Sequence, residues 1–183
     1  MQTSGATRMP SRTILVVDDE EHVRDALTTL LAREGYAVRS AAGAREALEI
    51  LRQEPIKLVI SDHHMPEMNG VEFFSLIRER HPHVCRIMLT GDGERDTVIR
   101  AVNQGEVYRF IPKPWNNTML RIIVHFAFET IQLEDENRRL LQALRRQLHF
   151  VRALERDYPY LAALARQEEA ELLLAQAERT GDG

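Results

Sequence analysis

Five residues of this chain have the types and spacing to do chemistry together. Asp18 and Asp19 follow the apolar run Ile14 to Val17. Asp62 follows Lys57 to Ser61, Thr90 closes Cys85 to Thr90, and Lys113 comes just after Tyr108 to Ile111. Clustered carboxylates repel one another, and a hard divalent cation relieves that repulsion. Oxygen donors with some retained water suit Mg²⁺. A carboxylate beside such an ion can attack phosphorus and become an aspartyl phosphate. An ammonium neutralises the phosphoryl oxygens as the bond forms, and a hydroxyl can bond a further oxygen. Lysine is otherwise scarce, with Lys57 and Lys113 as the only two against 22 arginines. A compact ammonium at position 113 therefore stands out, because arginine serves equally well where only surface charge is needed.

These residues can act together only if the elements that carry them converge. Thr13–Asp18, Tyr36–Ala41, Lys57–Ser61, Cys85–Thr90 and Tyr108–Ile111 read as short, buried strands. Between them, 20–34, 44–53, 71–80 and 94–103 show helical spacing of apolar residues, and a further helix starts near Asn117 or Thr118. Gly35 stops the first helix, and Pro55 and Pro82 lie beyond the second and third. Phe74 and Ile77 face inward on the third helix, and Cys85 reads as a core residue. Strands alternating with crossover helices imply a doubly wound parallel sheet covered on both faces. Such sheets present their ligand sites at the carboxyl ends of the strands, where all five residues fall.

Composition narrows the classes further. The chain has 183 residues and a net charge of −4, with 15 basic and 17 acidic residues over 1–118 and 9 and 11 over 119–183. No basic stripe for duplex DNA is visible, so no nucleic-acid partner is expected. No run is long and apolar enough for a membrane span, and residues 1–12 read as a loose arm without a secretory core, which points to the cytoplasm. The single cysteine excludes an internal disulfide framework. His63 and His64 are adjacent and cannot easily share one tetrahedral ion, so a zinc site is not expected there. Glu20 and Glu21 fit the charge preference of a helix N-terminus.

With these residues in place, the sequence resembles the receiver domains of bacterial two-component response regulators. The resemblance is carried by Asp18 and Asp19 after ILVV, Asp62 in VISDHHMPEMNG, Thr90 in IMLTG and Lys113 in FIPKPW, and spans roughly residues 13–128. It implies a flavodoxin-like five-stranded receiver with Asp62 as phosphoacceptor. It also implies Mg²⁺ held by Asp19, Asp62 and the backbone carbonyl of His64, with Asp18 assisting through water. By the same resemblance Lys113 pairs with the phosphoryl group, the peptide before Pro114 is cis, and Thr90 and Phe110 move together as a switch. The implied partner is a sensor histidine kinase or phosphotransfer protein, and no enzymatic turnover is implied.

The last third of the chain is not part of that resemblance. No Gly or Pro interrupts 117–158, and a 3-4 spacing runs through Ile123, Phe126, Thr130, Leu133, Asn137, Leu140, Leu144, Gln147, Val151 and Leu154. That pattern predicts an extended fifth helix forming a coiled coil over 119–158, with Asn137 at a position that favours a parallel pair. Glu129 would meet Glu134 across such a pair, and Leu141 and Leu148 widen the apolar stripe. Pro159 ends or kinks the helix, and 159–183 holds another helix, over 160–178, and a tail. A homodimer through the coil is the reading preferred here. A hairpin within the chain and a stub awaiting a partner remain open. Two rival functions remain as well. One is an Mg²⁺-dependent aspartyl phosphohydrolase, although such enzymes of the haloacid dehalogenase type need D-x-D rather than adjacent aspartates. The other is the N-terminal piece of a regulator with a cyclic-di-GMP phosphodiesterase output of the HD-GYP type, which the FIPKPW stretch and long helix resemble.

Overall fold

The structure, a computed structural model, describes residues 12–91 and 107–160, together with 163 and 167. The helix expected over 94–103, the arm before Arg12 and nearly all of the expected helix over 160–178 lie outside the described residues. The elements are β1 (Thr13–Val17), α1 (Glu21–Arg33), β2 (Ala37–Ala41), α2 (Ala44–Gln53), β3 (Leu58–Asp62), α3 (Gly70–Arg80), β4 (Cys85–Thr90), β5 (Arg109–Pro112) and α4 (Asn117–Asp157). The strands form one parallel sheet in the order β2-β1-β3-β4-β5. Chain order reverses direction at β1, so the gap between β1 and β3 is the topological switch point, where doubly wound sheets take their ligands.

The pleat splits the core in two. Successive side chains of a strand point to opposite faces. Ile14 and Val16 join Val23, Leu27, Leu120 and Val124 on the face covered by α1 and α4, while Leu15 and Val17 join Ala47, Phe73, Phe74 and Ile77 on the face covered by α2 and α3. β1 and β3 are buried along their whole length. β2 and β5 are not, contrary to the expectation of five buried strands. They are the two edges of the sheet, and each has a neighbour on one side only. Cys85 likewise is half-buried rather than core, and Ala26 is exposed although it shares the apolar spacing of α1.

Local signals set the element ends. At the end of α1, Gly35 has φ +85, and the Gly35 and Tyr36 amides donate to the carbonyls of Ala32 and Leu31. This is a Schellman cap, which favours glycine at that position. α3 begins with a capping box: the Asn69 side chain accepts from the Glu72 amide, and the Glu72 carboxylate accepts from the Asn69 amide. α4 begins where Asn116 Oδ1 accepts the amides of Thr118 and Met119.

Contacts divide the chain into two compact units, Met1–Leu133 and Glu134–Gly183. In the first unit, α4 buries Leu120, Val124, Ala127, Phe128 and Ile131. Tyr108 reaches Thr130 there: the Thr130 hydroxyl donates to the Phe126 carbonyl at 3.0 Å, which leaves its oxygen to accept from Tyr108 at 3.3 Å. In the second unit, the α4 residues Leu140, Leu141, Leu144, Leu148, Val151 and Leu154 are exposed. Among the described residues, no helix is long and apolar enough to cross a membrane.

Candidate functional site at the carboxyl edge of the sheet

β1 and β3 are neighbours in register, with Val17 opposite Ser61. The residues that follow those positions are Asp18 and Asp62, so the pairing alone puts two carboxylates at one edge. Asp62 is the last residue of β3 rather than the first beyond it. Asp19 comes next to Asp18 and is exposed, whereas Asp18 has no exposed surface and Asp62 only 6%. One oxygen from each of Asp18, Asp19 and Asp62 lies within 4.8 Å of the others. Lys113, just past β5, completes the cluster. Its Nζ donates to Asp18 Oδ2 at 2.9 Å and to Asp62 Oδ1 at 2.8 Å. The peptide from Lys113 to Pro114 is cis, as expected, and the Lys113 amide donates to the Thr90 carbonyl at 2.6 Å.

The charges do not cancel. Three carboxylates and one ammonium leave a formal charge of −2 in a largely buried pocket. Burial raises the Asp18 carboxyl above its ordinary range, although Lys113 and the Glu20 amide pull it down. Burial also works against the charged form of Lys113, but hydrogen bonds and charge from Asp62 and Asp18 outweigh it and hold the ammonium above its ordinary range. The donor set is three hard oxygens around a pocket that carries excess negative charge. It fits a small divalent cation such as Mg²⁺, and its lack of thiolate or imidazole donors argues against a softer metal.

The other expected residues sit close by in the fold. Thr90 is buried at the end of β4, paired in register with Pro112. Phe110 lies on β5 opposite Met88, half-buried against the core on the α2 and α3 face. His64 is exposed, two residues beyond Asp62, and its ring lies 5.1 Å from that of His63.

Two residues that help build the pocket were not singled out from sequence. Gly70 opens α3 and packs directly against the end of β3. A Cβ there would lie 2.7 Å from the Asp62 carbonyl oxygen and 2.9 Å from His63 Cα. Only the Asn-Gly pair at 69–70 hinted at it, as a turn signal. Arg24, on the first turns of α1, donates from one nitrogen to the carbonyls of Asp18 at 2.7 Å and Asp19 at 3.0 Å. Nothing in its sequence position distinguishes it from a solvent-facing arginine.

A parallel 2-1-3-4-5 sheet with an acidic, lysine-closed pocket at its switch point defines a receiver-type α/β module. A family model for the response regulator receiver domain matches residues 14–125. The chain belongs to the response regulator receiver family of two-component systems. It is 37% identical over 133 residues to the hydrogenase transcriptional regulatory protein HoxA of Cupriavidus necator, covering 73% of this chain and 27% of that one. It is 36% identical over 132 residues to the nitrogen assimilation regulatory protein NtrX of Azorhizobium caulinodans, covering 70% and 29%. The chain thus spans little more than a quarter of the length of these relatives. Among solved structures, the signal receiver domain of an HD domain-containing protein from Pseudomonas fluorescens Pf-5 superposes with a TM-score of 0.64 at 34% identity, covering 67% of this chain and 98% of that one. The adenylate cyclase structure from Rhodopirellula baltica superposes with a TM-score of 0.70 at 27% identity, covering 73% and 98%. Receiver domains are typically non-enzymatic signalling modules.

Proposed function

We propose that this chain is a cytoplasmic phosphorylation switch that accepts a phosphoryl group on Asp62 from a histidine kinase or phosphotransfer protein. The observation that carries the reading is the Lys113 ammonium, bonded to both Asp18 and Asp62 beside a third carboxylate. Asp19, Asp62 and the His64 carbonyl would hold Mg²⁺, with Asp18 behind them. That ion, when bound, offsets charge on the phosphoryl oxygens. Asp62 supplies an oxygen that bonds to phosphorus as the bond from phosphorus to the donor nitrogen breaks, and the electron pair leaves with the donor. An ammonium has three donors, and Asp18 and Asp62 engage two of them here, so Lys113 keeps one N–H for a phosphoryl oxygen. The Thr90 hydroxyl serves another oxygen. The added charge, about −2, would draw Thr90 inward and let Phe110 follow.

The test is labelling by acetyl phosphate or binding of beryllofluoride in the presence of Mg²⁺. Wild type is expected to label, Asp62→Ala to lose the label, and chelation to abolish it. Label that persists in Asp62→Ala would remove the assignment. Turnover of an external phosphoester would favour the phosphohydrolase reading instead.

The output side of the proposal is a homodimer through α4, with the coil running over 119–158. Phe126 and Leu133 in the first unit and Leu140, Leu144, Val151 and Leu154 in the second are 44–66% exposed, and all six occupy the 3-4 spacing. Ile123 and Thr130 share that spacing but face the receiver, since Ile123 packs on its core and Thr130 bonds Tyr108. A repeated leucine stripe of this kind is matched best by a second copy of itself. Sedimentation of the full chain is expected to show a dimer for wild type and a monomer for the double variant Leu140→Asp, Leu144→Asp. A monomeric wild type would sink the dimer and leave the phosphoacceptor untouched.

A further inference from the structure

We propose that Arg24 is a positioning residue of the acidic pocket, holding the Asp18–Asp19 backbone in the shape that lets both carboxylates meet Asp62. The inference rests on the Mg²⁺-binding reading above and concerns what prepares the pocket for the ion. The pocket's weakness is that Asp18 and Asp19 leave β1 at the point where strand pairing stops. The last β1 residue in register with both neighbours is Val17. Beyond it, among the described residues, the sheet holds Asp18 by a single backbone bond, from its amide to the Ala41 carbonyl at 3.3 Å. α1 has no side-chain cap to fix the turn from its own side.

Arg24 supplies the missing constraint. One guanidinium nitrogen donates to the carbonyls of Asp18 and Asp19 together, at 2.7 and 3.0 Å. Asp18 Oδ1 accepts the Glu20 amide at 3.0 Å, so the turn is held at two carbonyls and one carboxylate. The placement also runs against a local preference. A cation on the first turns of a helix opposes the helix dipole, which favours negative charge there. The two carbonyl bonds and the nearby net negative charge offset that cost.

Arg24 has two opposite ways to affect metal binding, and this makes the proposal testable. Its positive charge lies close to a pocket that must attract a dication, so on charge alone its removal would tighten Mg²⁺ binding. Its carbonyl bonds order the ligands, so on geometry its removal weakens binding. The bonds go to backbone carbonyls rather than to carboxylates, and they leave the metal-facing oxygens of Asp19 uncommitted to it. Geometry should therefore win, and the loss expected for an outer residue that orients metal ligands is about tenfold in affinity.

The experiment measures Mg²⁺ dissociation constants for the full chain by calorimetry, or through the fluorescence of Trp115, the single tryptophan. Wild type, Arg24→Ala and Arg24→Met are compared, and unfolding of each in EDTA is followed in parallel. Arg24→Met keeps an apolar stem and remains informative if the alanine variant does not fold. About tenfold weaker Mg²⁺ binding by the folded variants supports positioning. Unchanged or tighter binding overturns it, even if stability falls, because a purely structural arginine would lower stability and leave the dissociation constant alone. If wild type itself does not bind Mg²⁺, the receiver-site reading fails first, and that failure is seen before any variant is compared.

Discussion

Gly70→Ala should damage both the stability of the fold and the placement of Asp62, the proposed phosphoacceptor, and the sign of the effect is not obvious from sequence. Gly70 opens α3 and does not have a positive φ. In a helix with free space, alanine would be better than glycine by up to about 1 kcal/mol. Here the space is taken. The new Cβ would sit 2.7 Å from the Asp62 carbonyl oxygen, against about 3.4 Å for an ordinary contact, so something must move by about 0.7 Å. The two closest obstacles are backbone atoms, Asp62 O and His63 Cα, which cannot rotate away as a side chain can. Either the start of α3 retreats and stretches the 2.8 Å bond from the Gly70 amide to the His63 carbonyl, or the end of β3 shifts and carries Asp62 with it. Overpacking of this kind costs about 1–3 kcal/mol, and a weakened backbone bond adds up to about 1 kcal/mol, which outweighs the helix gain. The expected net loss is about 1–3 kcal/mol, or a fall in Tm of about 4–12 °C for a unit of this size.

Thermal unfolding and beryllofluoride binding, measured on the same sample, check both halves of the prediction. Gly35→Ala is the control. Its Cβ would meet nothing within 4 Å, yet its φ of +85 makes alanine unfavourable, so it should cost about 1 kcal/mol and leave beryllofluoride binding intact. A Gly70→Ala variant as stable as wild type, or one that binds beryllofluoride normally, would show that the close packing of α3 on β3 does not constrain Asp62.

Two further outcomes follow from the same geometry. Asp18→Asn should raise Tm in EDTA at pH 7 while removing most of the stabilisation expected of Mg²⁺ at the proposed site in wild type. The folded Asp18 carboxyl holds its proton more tightly than it does in the unfolded chain. Its contribution to stability is therefore greatest below the unfolded value of about 3.9 and declines as pH rises through the folded value. A lower Tm for Asp18→Asn at pH 7 would show that the bond to Lys113 outweighs burial. Asn69→Ala removes the side-chain half of the capping box on α3 and should cost about 1 kcal/mol in thermal or urea unfolding; no loss would mean that solvent serves the Glu72 amide equally well.

What could be read from the chain in advance follows from which constraints are local. Apolar alternation and helical spacing are local, so the order of elements and the edge of the sheet that carries Asp18, Asp62, Thr90 and Lys113 were legible. The Asn-x-x-Glu pattern at 69–72 is a local signal of the same kind. Edge position is not local. β2 looks as strand-like as β1, but its exposure follows from lying outside β1 in the sheet order. The roles of Gly70 and Arg24 are also set by tertiary contacts. Gly70 matters because α3 begins against β3, and Arg24 because two carbonyls lie within reach of its nitrogen.

The same distinction explains the division of labour inside the pocket. The residues whose chemistry could be named from sequence supply the charges and the proposed nucleophile. The residues found only in the fold touch backbone: Gly70 lies against the Asp62 carbonyl, and Arg24 holds the carbonyls of Asp18 and Asp19. A cluster with a formal charge of −2 tends to fly apart, and the Lys113 ammonium answers only part of that charge. Backbone restraints hold the carboxylates together against the remainder without occupying their oxygens. They leave the carboxylates charged and gathered, one oxygen of each within 4.8 Å of the others, which is what the proposed cation site requires. A cation bonded to the carboxylates themselves, rather than to their backbone carbonyls, would make the pocket more stable empty and less able to take a dication. A glycine and a carbonyl-directed arginine thus leave the site under an electrostatic tension that a bound dication would relieve.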